Sequence, residues 1–392
     1  MIISSRILSA IVFAQFCCTS LWFAGNAVLA DLVANFGLPV TSLEHLTSAV
    51  QFGFITGTLT FAIFTITDRF SPSRVFLVCA LLGALANGLV VWPGNTLASL
   101  LFLRFLTGFF LAGIYPVGMK IAADYFDKGL GKSLGYLVGA LVLGTAFPHL
   151  LKGLGEQLPW RNVLLVTSGL AVFGGLLIGL SVPDGPHRRA GQGVRAGAFL
   201  TVFRKARFRA AAFGYFGHMW ELYAFWAFVP VMLLAYGASH PEVALNVPLL
   251  SFAIIGVGGV ACVIGGYLSQ RYGPRRVAFT ALSLSGACCL LVPLVLLYAP
   301  VGLLLVFLLF WGMVVVMDSP LFSTLVAQNA LAEVKGTALT IVNCIGFAIT
   351  IVSIQLLGGL QQGGAGTWMY LLLGIGPCLG LIALGREAPL VS

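Results

Sequence analysis

Charge is what this sequence has least of. Only 8% of its 392 residues are Asp, Glu, Lys or Arg, against about 25% in an ordinary soluble domain. With 21 basic and 12 acidic side chains the chain cannot clothe a water-exposed surface of its size, which excludes a soluble fold. Cysteine pairs at metal-binding spacing are missing too. The eight cysteines (17, 18, 79, 262, 288, 289, 344 and 378) all stand inside apolar stretches, as small core residues rather than disulfides or ligands, so no metal or cofactor is expected. There is no HExxH. Gly131-Lys132-Ser133 comes nearest to a phosphate loop, but Phe126 stands where that motif has its first glycine, which argues against ATP-driven pumping. Gly131 to Gly135 also satisfies G-x-S-x-G. It opens a membrane helix instead of sitting on a strand-to-helix elbow, so a membrane enzyme is disfavoured.

What is present is apolar: 59% of the residues are hydrophobic. At about 20 residues per crossing, the length accommodates roughly twelve helical spans and no separate soluble domain. Hydropathy and the Pro, Gly and charge punctuation place them near 7–30, 46–66, 75–92, 97–120, 134–152, 162–182, 210–236, 247–269, 277–298, 301–325, 337–358 and 368–385. The run after Arg6 exceeds the apolar core of a signal peptide and is expected to be the first span.

The net charge of +9 has a topological explanation. With both termini in the cytoplasm, Arg6, Arg69, Arg74, Lys120, Lys128, Lys132, the basic residues from Arg188 to Arg209, Arg271, Arg275, Arg276, Lys335 and Arg386 share that side. Lys152 and Arg161 fall outside, and Arg104 lies within a span. This is the positive-inside pattern, and it removes the reason to invoke nucleic acid. The longest polar break divides the chain into an N-terminal six-helix half, 1–182, a cytoplasmic loop, 183–208, and a C-terminal half, 209–392. Asp68-Arg69-Phe70-Ser71-Pro72-Ser73-Arg74-Val75 and Gln270-Arg271-Tyr272-Gly273-Pro274-Arg275-Arg276-Val277 occupy the same slot in each half. They share Arg, aromatic, Pro, Arg and Val in register, the mark of an internal duplication.

These segments carry a family likeness. Gly266-Tyr267-Leu268-Ser269-Gln270-Arg271-Tyr272-Gly273-Pro274-Arg275-Arg276 resembles the G-x-L-a-D-R-x-G-R-K loop of the major facilitator superfamily. The first copy keeps Asp68, Arg69 and Arg74 but has Phe64 and Ser71 where the family favours glycine. Arg104-Phe105-Leu106-Thr107-Gly108 resembles the family's R-x-x-q-G motif, and Pro159-Trp160-Arg161 its entry to helix 6. The Gly-Pro pair of the drug-antiporter motif is absent from Gly135 to Pro148. The resemblance implies an all-α membrane protein of twelve transmembrane helices in two pseudo-symmetric six-helix halves. It also implies that helices 1, 4, 7 and 10 line a central cavity, and that the chain works as a monomer.

Ionisable groups inside a membrane are costly and therefore informative. Spans 3, 6, 8, 9 and 12 contain no charged residue in their interiors, whereas span 4 carries Arg104, span 7 His218 and Glu221, and span 10 Asp318. His218 and Glu221 stand on one helical face. They are read as a pair that carries a coupling proton or as a locally satisfied hydrogen-bonded pair that anchors a helix. Asp318 precedes Ser319-Pro320, as a second proton site, a gate contact or a cap on a broken helix. Arg104 is expected to attract an anionic substrate or to serve the fold. Trp22 and Asn26 on span 1, Tyr115 on span 4, and Tyr215, Trp220 and Tyr223 on span 7 are the remaining candidate substrate contacts, with packing the alternative. Gly53 with Gly57, and Gly135 with Gly139, have the small-residue spacing of close helix contact.

Asp68, Arg69 and Arg74, with Asp124 and the repeat's Arg271 and Arg276, are expected to control access at the cytoplasmic ends. Asp68 would meet the N-terminus of span 11 in the other half. The resulting expectation is a secondary active transporter, not an enzyme, that moves a small organic anion by alternating access with a coupling proton. Export of amphipathic or cationic compounds is the alternative, and a transporter-like receptor the rival from another class. The absence of an Asn-x-Ser/Thr sequon and the short outer loops suggest a bacterial inner membrane.

Overall fold

The structure is a computed structural model that describes residues 2–39, 41–125, 130–154, 158–188, 202–331 and 335–386. Lys128 and the basic stretch 189–201 of the expected central loop lie outside the described residues. Among those described there is no strand. Eleven helices are long and apolar enough to cross a membrane, and the first, Arg6–Thr19, is a shorter apolar helix.

In chain order the membrane helices are α1 (Ile2–Thr19, resumed as Ala24–Ala27 and Leu29–Phe36), α2 (Ser42–Ile63) and α3 (Pro72–Leu89). There follow α4 (Leu97–Tyr125), α5 (Leu130–Leu154) and α6 (Trp160–Ser181). The second half comprises α7 (Ala206–Ser239), α8 (Val247–Tyr272), α9 (Pro274–Tyr298), α10 (Val301–Asn329), α11 (Lys335–Gln362) and α12 (Gly366–Gly385). Local chemistry sets several of the boundaries. Thr96 and Ser99 form a capping box that starts α4, and Asn246 accepts from the Leu249 N–H at the head of α8. Pro72 and Pro274 begin α3 and α9, where a missing N–H costs nothing.

Three differences from the expected spans have physical causes. The first span is not continuous, because α1 breaks after Thr19 at residues 20–23. α10 breaks at Asp318 ahead of Pro320, as a proline in a helix interior dictates. The two motif loops also differ. Gly273 turns at φ 83, a conformation open to glycine, whereas Ser71 in the first copy has φ −58 and the reversal is made upstream at Thr65, φ 50.

The two halves meet along α2 with α11 and α5 with α8. Along the second pair the backbones touch: a Cβ on Gly139 would lie 2.8 Å from the Gly259 carbonyl oxygen, and one on Gly259 2.9 Å from that of Gly139. Large apolar side chains such as Phe102, Leu180, Val306 and Leu379 stand fully outward, the surface expected of a protein solvated by lipid.

Candidate functional site

Arg104 does not project into the interface between the halves. It is buried on α4, and its guanidinium donates to the carbonyl oxygens of Leu21 (3.2 Å) and Trp22 and to Asn87 Oδ1 (3.3 Å). These carbonyls are the ones freed where α1 breaks, and hydrocarbon offers them no water. Asn87 in turn donates to Leu164 O (3.0 Å), Thr167 Oγ1 (3.2 Å) and Ser168 Oγ (3.0 Å). One arginine thus ties α1, α3, α4 and α6 together. Of the two roles expected for Arg104, these bonds are those of the structural one.

The break turns Trp22 across the junction of the two halves. Its ring lies 4.9 Å from Phe54, 5.7 Å from Tyr223 and 5.7 Å from Phe347, and Phe54 and Phe347 are 4.4 Å apart. Phe23 and Tyr223 both pack on Trp226. Residues of α1, α2, α7 and α11 so form one aromatic roof. Such pairs contribute about 0.5–1.5 kcal/mol each beyond their buried area. The indole N–H of Trp22 donates to Gln51 Oε1 at 3.3 Å. Asn26, one turn on, donates instead to Thr47 Oγ1 at 2.8 Å and ties α1 to α2.

Tyr215 donates to Asn343 Oδ1 at 2.8 Å, and Tyr223 packs on Trp22 across the two halves. Tyr115 is partly buried at the head of the second stretch of α4. Trp220 faces α12 and donates to Leu372 O at 2.8 Å.

The structure separates His218 from Glu221. His218 Nδ1 lies 2.8 Å from Asp318 Oδ1, with both side chains buried. His218 Nε2 and Asp318 Oδ2 have no hydrogen-bond partner among the described residues. Asp318 makes no capping bond to the helix it precedes. Glu221 accepts from Trp311 Nε1 (2.6 Å) and Ser285 Oγ (3.0 Å). The supposed pair on one helix is therefore two cross-helix contacts, α7 to α10 through His218 and α7 to α9 and α10 through Glu221.

At the end that carries the termini, the contacts of Asp68 stay within its own half. It lies 3.3 Å from Lys120, which is also 4.0 Å from the buried Asp124. Arg188 donates to the carbonyls of Asp68 and Phe70, and Arg69 to Thr65 Oγ1 at 3.1 Å. Arg74 borders a groove with Ser71 and Asp184. In the second copy Arg271 lies over the Tyr272 ring, and Arg276 borders an apolar groove between α8, α9 and α10. The expected meeting of Asp68 with α11 is not made here. At the opposite, far end the halves are joined: Gln362 donates to Glu44 Oε1 (3.0 Å), Gln355 to Ser48 Oγ (2.9 Å), and Asn246 to Gly153 O (3.1 Å).

Gln15, Gln51, Asn87, Ser285 and Asn343 escaped the sequence reading because it weighed charged and aromatic residues, and Trp311 because an aromatic in a wholly apolar run reads as packing. An uncharged amide within an apolar run, as in Ala14-Gln15-Phe16 and Val50-Gln51-Phe52, was the available signal. Among the described residues no cluster of three His, Cys, Asp or Glu could hold a metal ion.

The family model described as Major Facilitator Superfamily matches residues 11–354. A protein of Cupriavidus necator named "Probable sulfoacetate transporter" is 25% identical over 258 residues, 58% of this chain and 58% of the relative. An inner membrane metabolite transport protein of Escherichia coli is 29% identical over 199 residues, 49% of this chain and 42% of the relative. The chain thus matches about half the length of these curated relatives. Among solved structures, a bacterial homologue of the human lysosomal transporter Spinster, inward-facing and unoccupied, superposes with a TM-score of 0.69. The match covers 99% of both chains at 14% identity, a likeness of fold.

Proposed function

Since the chain belongs to the Major Facilitator Superfamily, we propose that it moves a small organic anion across a bacterial inner membrane by alternating access, driven by a coupling proton. Its halves, 1–182 and 209–392, rock as rigid bodies about the site between them, with both termini cytoplasmic. The protein acts as a monomer in lipid and needs no cofactor.

The observation that carries the coupling is the buried contact of His218 with Asp318. Two ionisable groups are held in hydrocarbon at a helix break, each with an unbonded atom, so a proton can be taken up and released without dismantling the fold. Glu221, held by Trp311 and Ser285, is the second proton site. The relative named for sulfoacetate supports an anionic solute. Trp22, Tyr115, Tyr215 and Tyr223 are the aromatic contacts nearest to it.

Two buried carboxylates beside an aromatic roof also suit a lipophilic cation, and export of such compounds is the second reading. Proteoliposomes decide between them. With an imposed proton gradient, uptake is measured for sulfoacetate, lactate and succinate and for tetraphenylphosphonium. Proton-dependent accumulation of an acid, lost in Asp318→Asn, upholds the proposal. Movement of the cation alone replaces it with the exporter, and accumulation unchanged in Asp318→Asn removes the coupling assignment.

A further inference from the structure

Two buried amides in the N-terminal half carry donors that no contact among the described residues uses. An indole nitrogen can only donate, so the bond from Trp22 fixes the Gln51 amide with Oε1 toward the ring. Its Nε2 group is thereby turned away, buried and without a hydrogen-bond partner among the described residues. Gln15 stands in the first stretch of α1, seven residues before Trp22, which lies in the break. It too is fully buried, and neither of its amide atoms is bonded among the described residues. Space is kept for it in α4: a Cβ on Gly118 would lie 2.4 Å from Gln15 Oε1, and Gly118 is one turn from Tyr115.

An unpaired buried amide group costs on the order of 1–3 kcal/mol; leucine would fill position 15 without that cost, and at position 51 it would strand the Trp22 indole N–H instead. In a carrier, amides maintained at such a disadvantage are explained by a ligand that arrives and leaves: Gln51 stands beside the roof where the halves meet, and Gln15 stands inside the N-terminal half against Gly118. The unpaired atoms also indicate its chemistry. Gln15 Nε2, Gln51 Nε2 and Trp226 Nε1 are donors, with Gln15 Oε1 the one acceptor beside them, and Trp226 packs into the same roof. The basic side chains are already engaged: Arg104 by the broken helix, Lys120 by Asp68 and Asp124, His218 by Asp318.

We propose that Gln51 and Gln15 are the substrate's main hydrogen-bond donors, and that they take the oxygen-rich head of a small organic anion below the Trp22 roof, without a fixed positive charge. This rests on the transporter reading above and deepens it. An anion bound by neutral donors carries its charge with it, so its transport is electrically balanced by the cation that accompanies it.

The test is isothermal titration of the full chain in nanodiscs with lactate, succinate and methanesulfonate, and with neutral lactamide, alongside the flux assay. Wild type is expected to bind at least one acid, and to bind lactamide more weakly. The Kd for that acid should rise tenfold or more in Gln51→Leu and in Gln15→Leu, and further in Gln51→Glu, which sets a carboxylate against the anion at unchanged size. Gln51→Asn should recover part of the loss, and Gln361→Leu, at the exposed far end, should change nothing. Melting curves select the variants that fold, and Gln51→Glu and Gln51→Asn keep the test open if the leucine variants do not. Equal Kd values in wild type and the folded Gln51 and Gln15 variants overturn this assignment and leave the transporter standing if flux persists. Failure of every acid to bind wild type, with flux of a cation instead, overturns both.

Discussion

Arg104 on α4 donates to the carbonyl oxygen of Trp22, at the break in α1. The relationship explains why a residue that resembles a signature of the family sits deep in the N-terminal half. A helix interrupted inside hydrocarbon exposes backbone acceptors that must be satisfied by protein. A guanidinium meets several at once because its donors are fixed in a fork.

Arg104→Gln should therefore weaken the fold before it weakens binding. Loss of the bonds to Leu21, Trp22 and Asn87 should cost about 2–4 kcal/mol, given about 1–3 kcal/mol for each buried group left unsatisfied. The check is a melting curve in detergent beside a ligand titration. A variant that melts like wild type yet no longer binds an acid would return Arg104 to the role of anion receptor.

Asp318→Asn should abolish uphill accumulation while solute exchange continues, since exchange needs no net proton movement. His218→Gln should do the same, because it removes the other partner of the 2.8 Å contact. Glu221→Gln should keep the Ser285 and Trp311 contacts in altered form and give a milder defect. Counterflow and proton-driven uptake measured on the same vesicles separate the two activities. Equal losses of both in Asp318→Asn would mark a structural carboxylate.

Glu44→Ala and Gln355→Ala remove far-end bonds between the halves. Interhelical bonds in membranes average roughly 0.6 kcal/mol, so the double variant should shift the balance of access states by about 1 kcal/mol, or fivefold. The rate at which a cysteine placed at Asn26 reacts with a membrane-impermeant maleimide from the far side should rise accordingly. An unchanged rate would show that the aromatic roof alone closes that end.

Asp68→Asn breaks a half-exposed contact with Lys120, worth at most about 1 kcal/mol to the fold. The melting temperature should barely move. If Asp68 engages α11 when the halves tilt the other way, the transport rate and the labelling of cysteines at the terminal end should both change. No change in either would remove Asp68 from the set of gating residues.

The sequence disclosed the class of fold because lipid enforces it: twelve apolar runs and their basic loops follow from having to cross a bilayer, and the repeated Arg-aromatic-Pro-Arg segment adds the duplication. It disclosed the ionisable residues of the core for the same reason. It did not disclose their partners. His218 and Glu221 are neighbours on a helix face, but a cross-helix contact depends on how α7 is rotated against α9 and α10, which helical spacing alone leaves undetermined. Nor did it single out Gln15 and Gln51, since an amide in an apolar run has no periodicity of its own. Their interest comes from a partner that one has on one side only and the other lacks among the described residues.

The contact of α5 with α8 bears on movement as well as shape. At Gly139 and Gly259 the halves meet main chain to main chain, with Leu143 and Val263 flanking the approach, and Tyr136 and Tyr267 bond hydroxyl to hydroxyl further along the same pair of helices. If the halves rock as proposed, that seam is the axle. Bulk is kept off the turning line at the two glycines, and what must give way lies to either side of it, in the Tyr136–Tyr267 bond and in the bonds of Glu44 and Gln355.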